Sequence, residues 1–200
     1  AGLQQLLKRF DLPVYTKQGT WREIQDKLIV PKNRLIELTK GSLTLGGLTV
    51  EPFSVSHDAA DPIGINVFAG NDKATVVTDT GVISDDILRR IDETTLLVLE
   101  ANYDPYMLRF GPYQPFLKQR VASDEGHLSN EMAAQALLMM KRPDFMQVIL
   151  AHRSENNNNA VLVTQTIGKM LVDGGVRIGP EMKLQHGQLN EIVSIRSVKR

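Results

Sequence analysis

Four apolar runs in this chain end on a residue that can bind a metal or carry a proton. TVEPFSVS runs into His57-Asp58, ATVVT into Asp79, TLLVL into Glu100 with Asn102 and Asp104 just beyond, and MQVILA into His152. Runs of this length and β-branched content read as strands. Strand ends at one edge of a sheet lie close in space however far apart they are in sequence, and ligand sites collect at such edges. A lone Asp or His at a strand end is commonly a cap or turn residue. Its recurrence at successive ends points instead to His57, Asp79 and His152 converging. Two imidazoles and a carboxylate suit Zn²⁺, Mn²⁺ or Fe²⁺.

The segments between these runs set the architecture. Residues 2–10 place Leu3, Leu6, Leu7 and Phe10 on one helical face, and PVYT reads as a short strand. Thr20 is expected to cap a helix over TWREIQDKL, with Glu23 as its capping-box partner. Residues 43–45 and 48–56 flank Gly46-Gly47 as a hairpin, and GINVFAG with NDKATVVTD reads as a second, turning near Asn71-Asp72. Ser84 caps a helix through about Ile91. Further helices are expected over 130–141, capped by Asn130 or Ser129, and over 160–172, with EIVSIRS as a closing strand. Hairpins first and strand–helix alternation later suggest a layered α/β (α+β) domain rather than a simple doubly wound sheet. With 200 residues and no Pro/Gly-rich linker, a single domain over residues 1–200 is expected.

Composition removes several classes. The absence of cysteine excludes disulfides, thiolate metal sites and a cysteine nucleophile, and suits a reducing cytoplasm. Equal numbers of acidic and basic residues, 23 each, argue against generic polyanion binding but leave room for a local basic patch. No apolar run is long enough for a membrane helix. Neither a phosphate-binding Gly-rich loop nor a Gly-x-Ser-x-Gly elbow is present. Of the four histidines, His127 lies in EGHLSNE ahead of a helix whose start, Ser129 and Asn130, can meet an anion. There His127 is either a proton donor to a leaving oxygen or a solvated loop residue. His186, in turn-like KLQHGQ, reads as a surface residue. Lys118 and Arg120 are candidates to meet a phosphate.

SHDAADPIG, VVTDTG, LVLEANYD, LKQRVASDEGHLSNE and ILAHRSENNN occur in this order over residues 48–158, with GTW at 19–21 upstream. Together they resemble the metallo-β-lactamase superfamily, specifically its YycJ/WalJ-like exonuclease branch. The resemblance implies a four-layer αββα sandwich with two divalent ions, Zn²⁺ or Mn²⁺, at one edge, and 5′-to-3′ cleavage of DNA. It implies His57 and His152 as ligands, Asp79 as the carboxylate shared by the ions, His127 as general acid and Glu100 as the acid that orients it. The family's His-x-His-x-Asp-His motif does not occur in these 200 residues. The expectation is therefore a domain lacking its N-terminal strands and first metal motif. Two further readings stand beside the exonuclease: a hydrolase of a small phosphodiester or ester, and an inactive fragment or binding remnant.

Overall fold

A computed structural model describes residues 2–39, 41–188 and 191–195. Its main feature is a seven-stranded sheet in the order β3-β4-β5-β6-β7-β8-β9. In chain order these strands are β3 (Leu43–Leu45), β4 (Leu48–Ser54), β5 (Ile63–Ala69), β6 (Asp72–Val77), β7 (Leu96–Glu100), β8 (Met146–Ala151) and β9 (Met182–His186). The first four pair antiparallel, and β6 to β9 run parallel. Local chemistry explains the first half. Gly46 and Gly47 take φ of 54° and 85°, and Gly70 takes 60°, conformations that tight hairpins require and side chains disfavour. The second turn is centred on Gly70-Asn71, since Ala69 pairs with Asp72.

Parallel strands need crossovers, and the helices supply them. α3 (Asp85–Ile91) joins β6 to β7, α4 (Pro105–Phe110), α5 (Pro115–Val121) and α6 (Asn130–Met139) join β7 to β8, and α7 (Ala160–Asp173) joins β8 to β9. Ser84 caps α3 by accepting from the Ile87 N–H, as expected. Ile87, Ile91, Ala133, Leu137, Val163, Ile167 and Leu171 pack onto Val77, Leu97, Leu99, Val148 and Leu150 in one core. On the opposite sheet face Val76 is 41% exposed. Two further helices, α1 (Gly2–Arg9) and α2 (Gln18–Ile24), lie ahead of this sheet with a separate parallel pair, β1 (Val14–Thr16) and β2 (Leu35–Glu37). The mixed, layered arrangement expected from the sequence is present. Among the described residues it comprises this one large sheet, one helical layer on it and the β1–β2 pair.

Several boundaries differ from expectation. α2 begins at Gln18 after Lys17, so Thr20 is inside the helix. Its hydroxyl donates to the Asp61 carbonyl, a long-range contact that replaces the cap. Ser129, not Asn130, caps α6. The closing strand is β9 rather than EIVSIRS: residues 191–195 form no strand, and Arg196-Ser197 lie outside the described residues. His186 therefore ends a strand, half-buried, with Nε2 2.8 Å from the Thr164 hydroxyl. Among the described residues no helix is long and apolar enough to cross a membrane.

Leu137 is fully buried between the helical layer and the sheet. Leu137→Ala is expected to lower unfolding free energy by about 2–5 kcal/mol, measured by chemical denaturation.

Candidate metal centre

β6, β7 and β8 are adjacent and parallel, so their C-terminal ends share one edge of the sheet. β4 points the same way, two antiparallel steps from β6. The residues following these ends therefore meet. His57 Nε2 lies 3.7 Å, and His152 Nε2 3.5 Å, from Asp79 Oδ1. His127, delivered by the loop after α5, completes the group: its ring centroid is 5.1 Å from that of His57 and 5.2 Å from that of His152. The convergence expected from the strand ends is present, and it includes the fourth expected residue.

The ring orientations matter more than proximity. Glu100 ends β7 with no exposed surface. Its Oε1 accepts from Nδ1 of His127 at 2.7 Å and of His152 at 2.8 Å, and its Oε2 accepts from the Thr80 N–H at 3.0 Å. His57 Nδ1 donates to the Gly126 carbonyl at 3.0 Å. All three Nδ1 atoms are thus engaged as donors, and in His57 and His152 it is Nε2, with its lone pair free, that faces Asp79. A carboxylate or carbonyl behind each imidazole is the arrangement that orients metal-binding histidines. Two imidazole nitrogens facing one carboxylate make a donor set that fits a borderline divalent cation. Glu100, expected beside His127, bonds His152 as well.

Backbone geometry contributes to this placement. Asp79 and His152 adopt φ of 56° and 53°, left-handed values unusual outside glycine. Each strand therefore turns abruptly just past its end and carries its side chain back over the edge. The Asn102 side chain donates to the His152 carbonyl at 2.7 Å and holds one of these turns. The loop beneath His57 is equally constrained. A Cβ on Gly126 would lie 2.2 Å from the Arg120 carbonyl oxygen, so only glycine brings this backbone close enough to accept from His57. Asn102, Thr80 and Gly126 act through backbone or amide groups. Of these only Asn102, just past a strand end, gave any sign in the sequence.

The residues expected to touch substrate fare differently. Arg120 forms a two-pronged pair with Asp58, through Nε to Oδ2 and Nη2 to Oδ1. The Arg120 hydrogen bond holds the Asp58 carboxyl below the ordinary carboxylate range. Lys118 Nζ donates to the Arg109 carbonyl at 2.8 Å. Ser129 and Asn130 are buried, which corrects their expected role as anion contacts. The Ser129 hydroxyl accepts from the Met132 N–H, and Asn130 exchanges side-chain hydrogen bonds with Asn158. These bonds cap α6 and fix it to the loop after β8.

Comparison with known proteins agrees with this geometry. Residues 1–152 match the family model described as "Beta-lactamase superfamily domain". The chain belongs to the metallo-β-lactamase superfamily. Within that superfamily it is 34% identical over 185 residues to the exodeoxyribonuclease YycJ of Bacillus anthracis, covering 92% of this chain and 70% of that protein. It is 30% identical over 188 residues to the exodeoxyribonuclease WalJ of Streptococcus pneumoniae, with the same coverage. Among solved structures it resembles the metallo-β-lactamase fold protein YhfI from Bacillus subtilis, with a TM-score of 0.64 at 16% identity over 92% of this chain and 68% of that one. Divalent metal ions are implied by this fold, and two groups at this edge have donor atoms close enough together to hold one: His57, Asp79 and His127, and Glu100, His127 and His152.

In the metal-free protein, burial pushes the Glu100 carboxyl up, but the hydrogen bonds from His127, His152 and Thr80 outweigh it and hold Glu100 below its ordinary 4.5. The bond to Glu100 in turn raises His152 above its ordinary 6.5, against burial. Stability from the depressed carboxyl is present above 4.5 and is lost as pH falls through the lowered value. Stability from the raised imidazole is complete below 6.5 and is lost as pH rises through the raised value. This cluster is therefore expected to stabilise metal-free protein most between pH 4.5 and 6.5. Glu100→Gln is expected to flatten the profile, followed as melting temperature against pH in chelator. It is also expected to weaken Mn²⁺ or Zn²⁺ binding by about 10–100-fold in titration calorimetry.

Proposed function

We propose that this chain carries the hydrolytic centre of a metal-dependent DNA exonuclease acting 5′ to 3′. The observation that carries the reading is that His57 and His152, their Nδ1 atoms engaged, turn their Nε2 atoms to Asp79, with the His127 ring held beside them by Glu100. Two relatives named exodeoxyribonucleases, each 70% covered by this chain, support DNA as the substrate. In this reading His57, Asp79 and His152 hold two divalent ions, Zn²⁺ or Mn²⁺, and the protein works in the cytoplasm.

When bound, such ions lower the pKa of water and polarise a phosphoryl oxygen. The chain's own residues supply the rest. Glu100 fixes the His127 ring through Nδ1, which leaves Nε2 to hold a proton facing the centre. During cleavage a water oxygen bonds to phosphorus, releasing its proton to solvent, from which His127 is later reprotonated, and the bond to the departing sugar oxygen breaks. His127 delivers its Nε2 proton to that oxygen. Glu100 is a positioning residue: buried behind the histidines, it cannot reach substrate. Lys118, exposed around its bond to Arg109, retains donors for a phosphate, whereas Arg120 is committed to Asp58 and positions the loop beside His57.

The test is cleavage of linear DNA with parallel metal analysis. Chelator is expected to abolish cleavage and added Mn²⁺ or Zn²⁺ to restore it. His152→Ala is expected to lose both bound metal and activity. His127→Ala is expected to keep its metal while cleaving about 10²–10⁴-fold more slowly, the usual share of a general acid. Cleavage at full rate in excess chelator would refute the reading.

A further inference from the structure

Between β7 and the loop bearing His127, residues 105–123 have an unusual composition. They contain four of the chain's eleven aromatic residues together with Arg109, Lys118 and Arg120, and no Asp or Glu, in a chain of zero net charge. This stretch folds as α4 and α5. Its inner face makes a small core in which Tyr103, Leu108 and Val121 are buried with Tyr113 and Leu117 against them. Folding does not use the outer face. Tyr106, Phe110 and Phe116 are 71%, 63% and 70% exposed.

Exposed rings of this size on two successive short helices mark an interaction surface rather than random exposure. Tyr106 and Phe110, one helical turn apart, have centroids 4.6 Å apart at an interplanar angle of 48°. The Arg109 guanidinium carbon lies 5.3 Å from the Phe110 centroid, and Lys118 ties α5 back to the Arg109 carbonyl. The hairpin is rooted on both sides of the metal centre. Asn102, just ahead of α4, holds the His152 carbonyl, and Arg120 near the end of α5 pairs with Asp58 beside His57.

Exposed rings beside Arg109 and Lys118, with Arg120 taken by Asp58, match an unpaired nucleic-acid strand: bases stack on the rings while the two remaining cations follow the phosphates. We propose that the α4–α5 hairpin is a base-stacking platform that receives single-stranded DNA and leads it to the metal centre. This rests on the nuclease reading and adds the form of the substrate and the surface that selects it. Because stacking needs only a π-face, recognition at this platform is tolerant of sequence.

The test is fluorescence anisotropy of the metal-loaded protein with a labelled, phosphorothioate-backbone single-stranded oligonucleotide that resists cleavage. Tyr106→Ala, Phe110→Ala and Phe116→Ala are each expected to weaken binding by roughly 5–150-fold, the equivalent of one stacked base at about 1–3 kcal/mol. Phe110→Trp is expected to retain binding and Phe110→Leu to lose it, which separates stacking from mere apolarity. Arg109→Ala is expected to reduce the slope of log affinity against log salt by about 0.7. Val172→Ala, on the exposed side of α7, serves as the neutral control. Melting temperatures of all variants are expected to stay at the parent value. Unchanged oligonucleotide affinity in the three alanine variants, as a protein-docking patch would give, overturns the platform, as does absence of single-strand binding by the parent. DNA cleavage by the parent, assayed separately, reports on the nuclease reading alone.

Discussion

The centre depends on one buried carboxylate. Glu100 has no solvent contact, and an ionised group in that position is tolerated only if its oxygens are fully engaged. Its partners are the Thr80 amide and the Nδ1 atoms of His127 and His152, so the same bonds that make the charge tolerable also set two rings. The loop after β6, the loop after α5 and the end of β8 are thereby tied to the end of β7. If the carboxylate were removed, the histidines would lose a shared reference point rather than a single contact. The left-handed backbone at Asp79 and His152 is compensated in the same place, since strain of this kind persists only where surrounding contacts over-determine it.

The sheet makes this arrangement possible. Parallel β6, β7 and β8 present their C-terminal ends together, and the helices that parallel crossovers demand bury the apolar face behind them. The antiparallel first half returns β4 in the same direction, which brings His57 to the edge from nearly a hundred residues before His152. Long insertions between β7 and β8 then become available for function without disturbing the sheet. That is where α4, α5 and the His127 loop are found.

Much of this was legible before the structure. The strand-end residues His57, Asp79, Glu100 and His152 were readable because each follows an uninterrupted apolar run, and sheet geometry does the rest. Helices with strong periodicity or a Ser cap, such as α3, α6 and α7, were readable for the same local reasons. α4 and α5 were not, because six or seven residues give too little periodicity, although Asp104-Pro105 is a cap followed by proline at the first helical position. β9 was passed over although MKLQH alternates apolar and polar residues; five residues beside glycines read as easily as a turn. Ser129 and Asn130 have the right chemistry for an anion. Whether such groups face solvent or a buried amide such as Asn158 is a question of packing.

The sequence alone determined the class of fold, the ordered segments that identify the superfamily and the donor types at the strand ends, because those follow from short-range pattern and residue chemistry. The tertiary structure decided which nitrogen of His57 and His152 faces Asp79, that Glu100 serves two rings, that Arg120 is taken by Asp58, and that three aromatic rings stand outside the core on α4 and α5. Each of these depends on groups distant along the chain meeting at hydrogen-bond range, and no local pattern encodes such meetings.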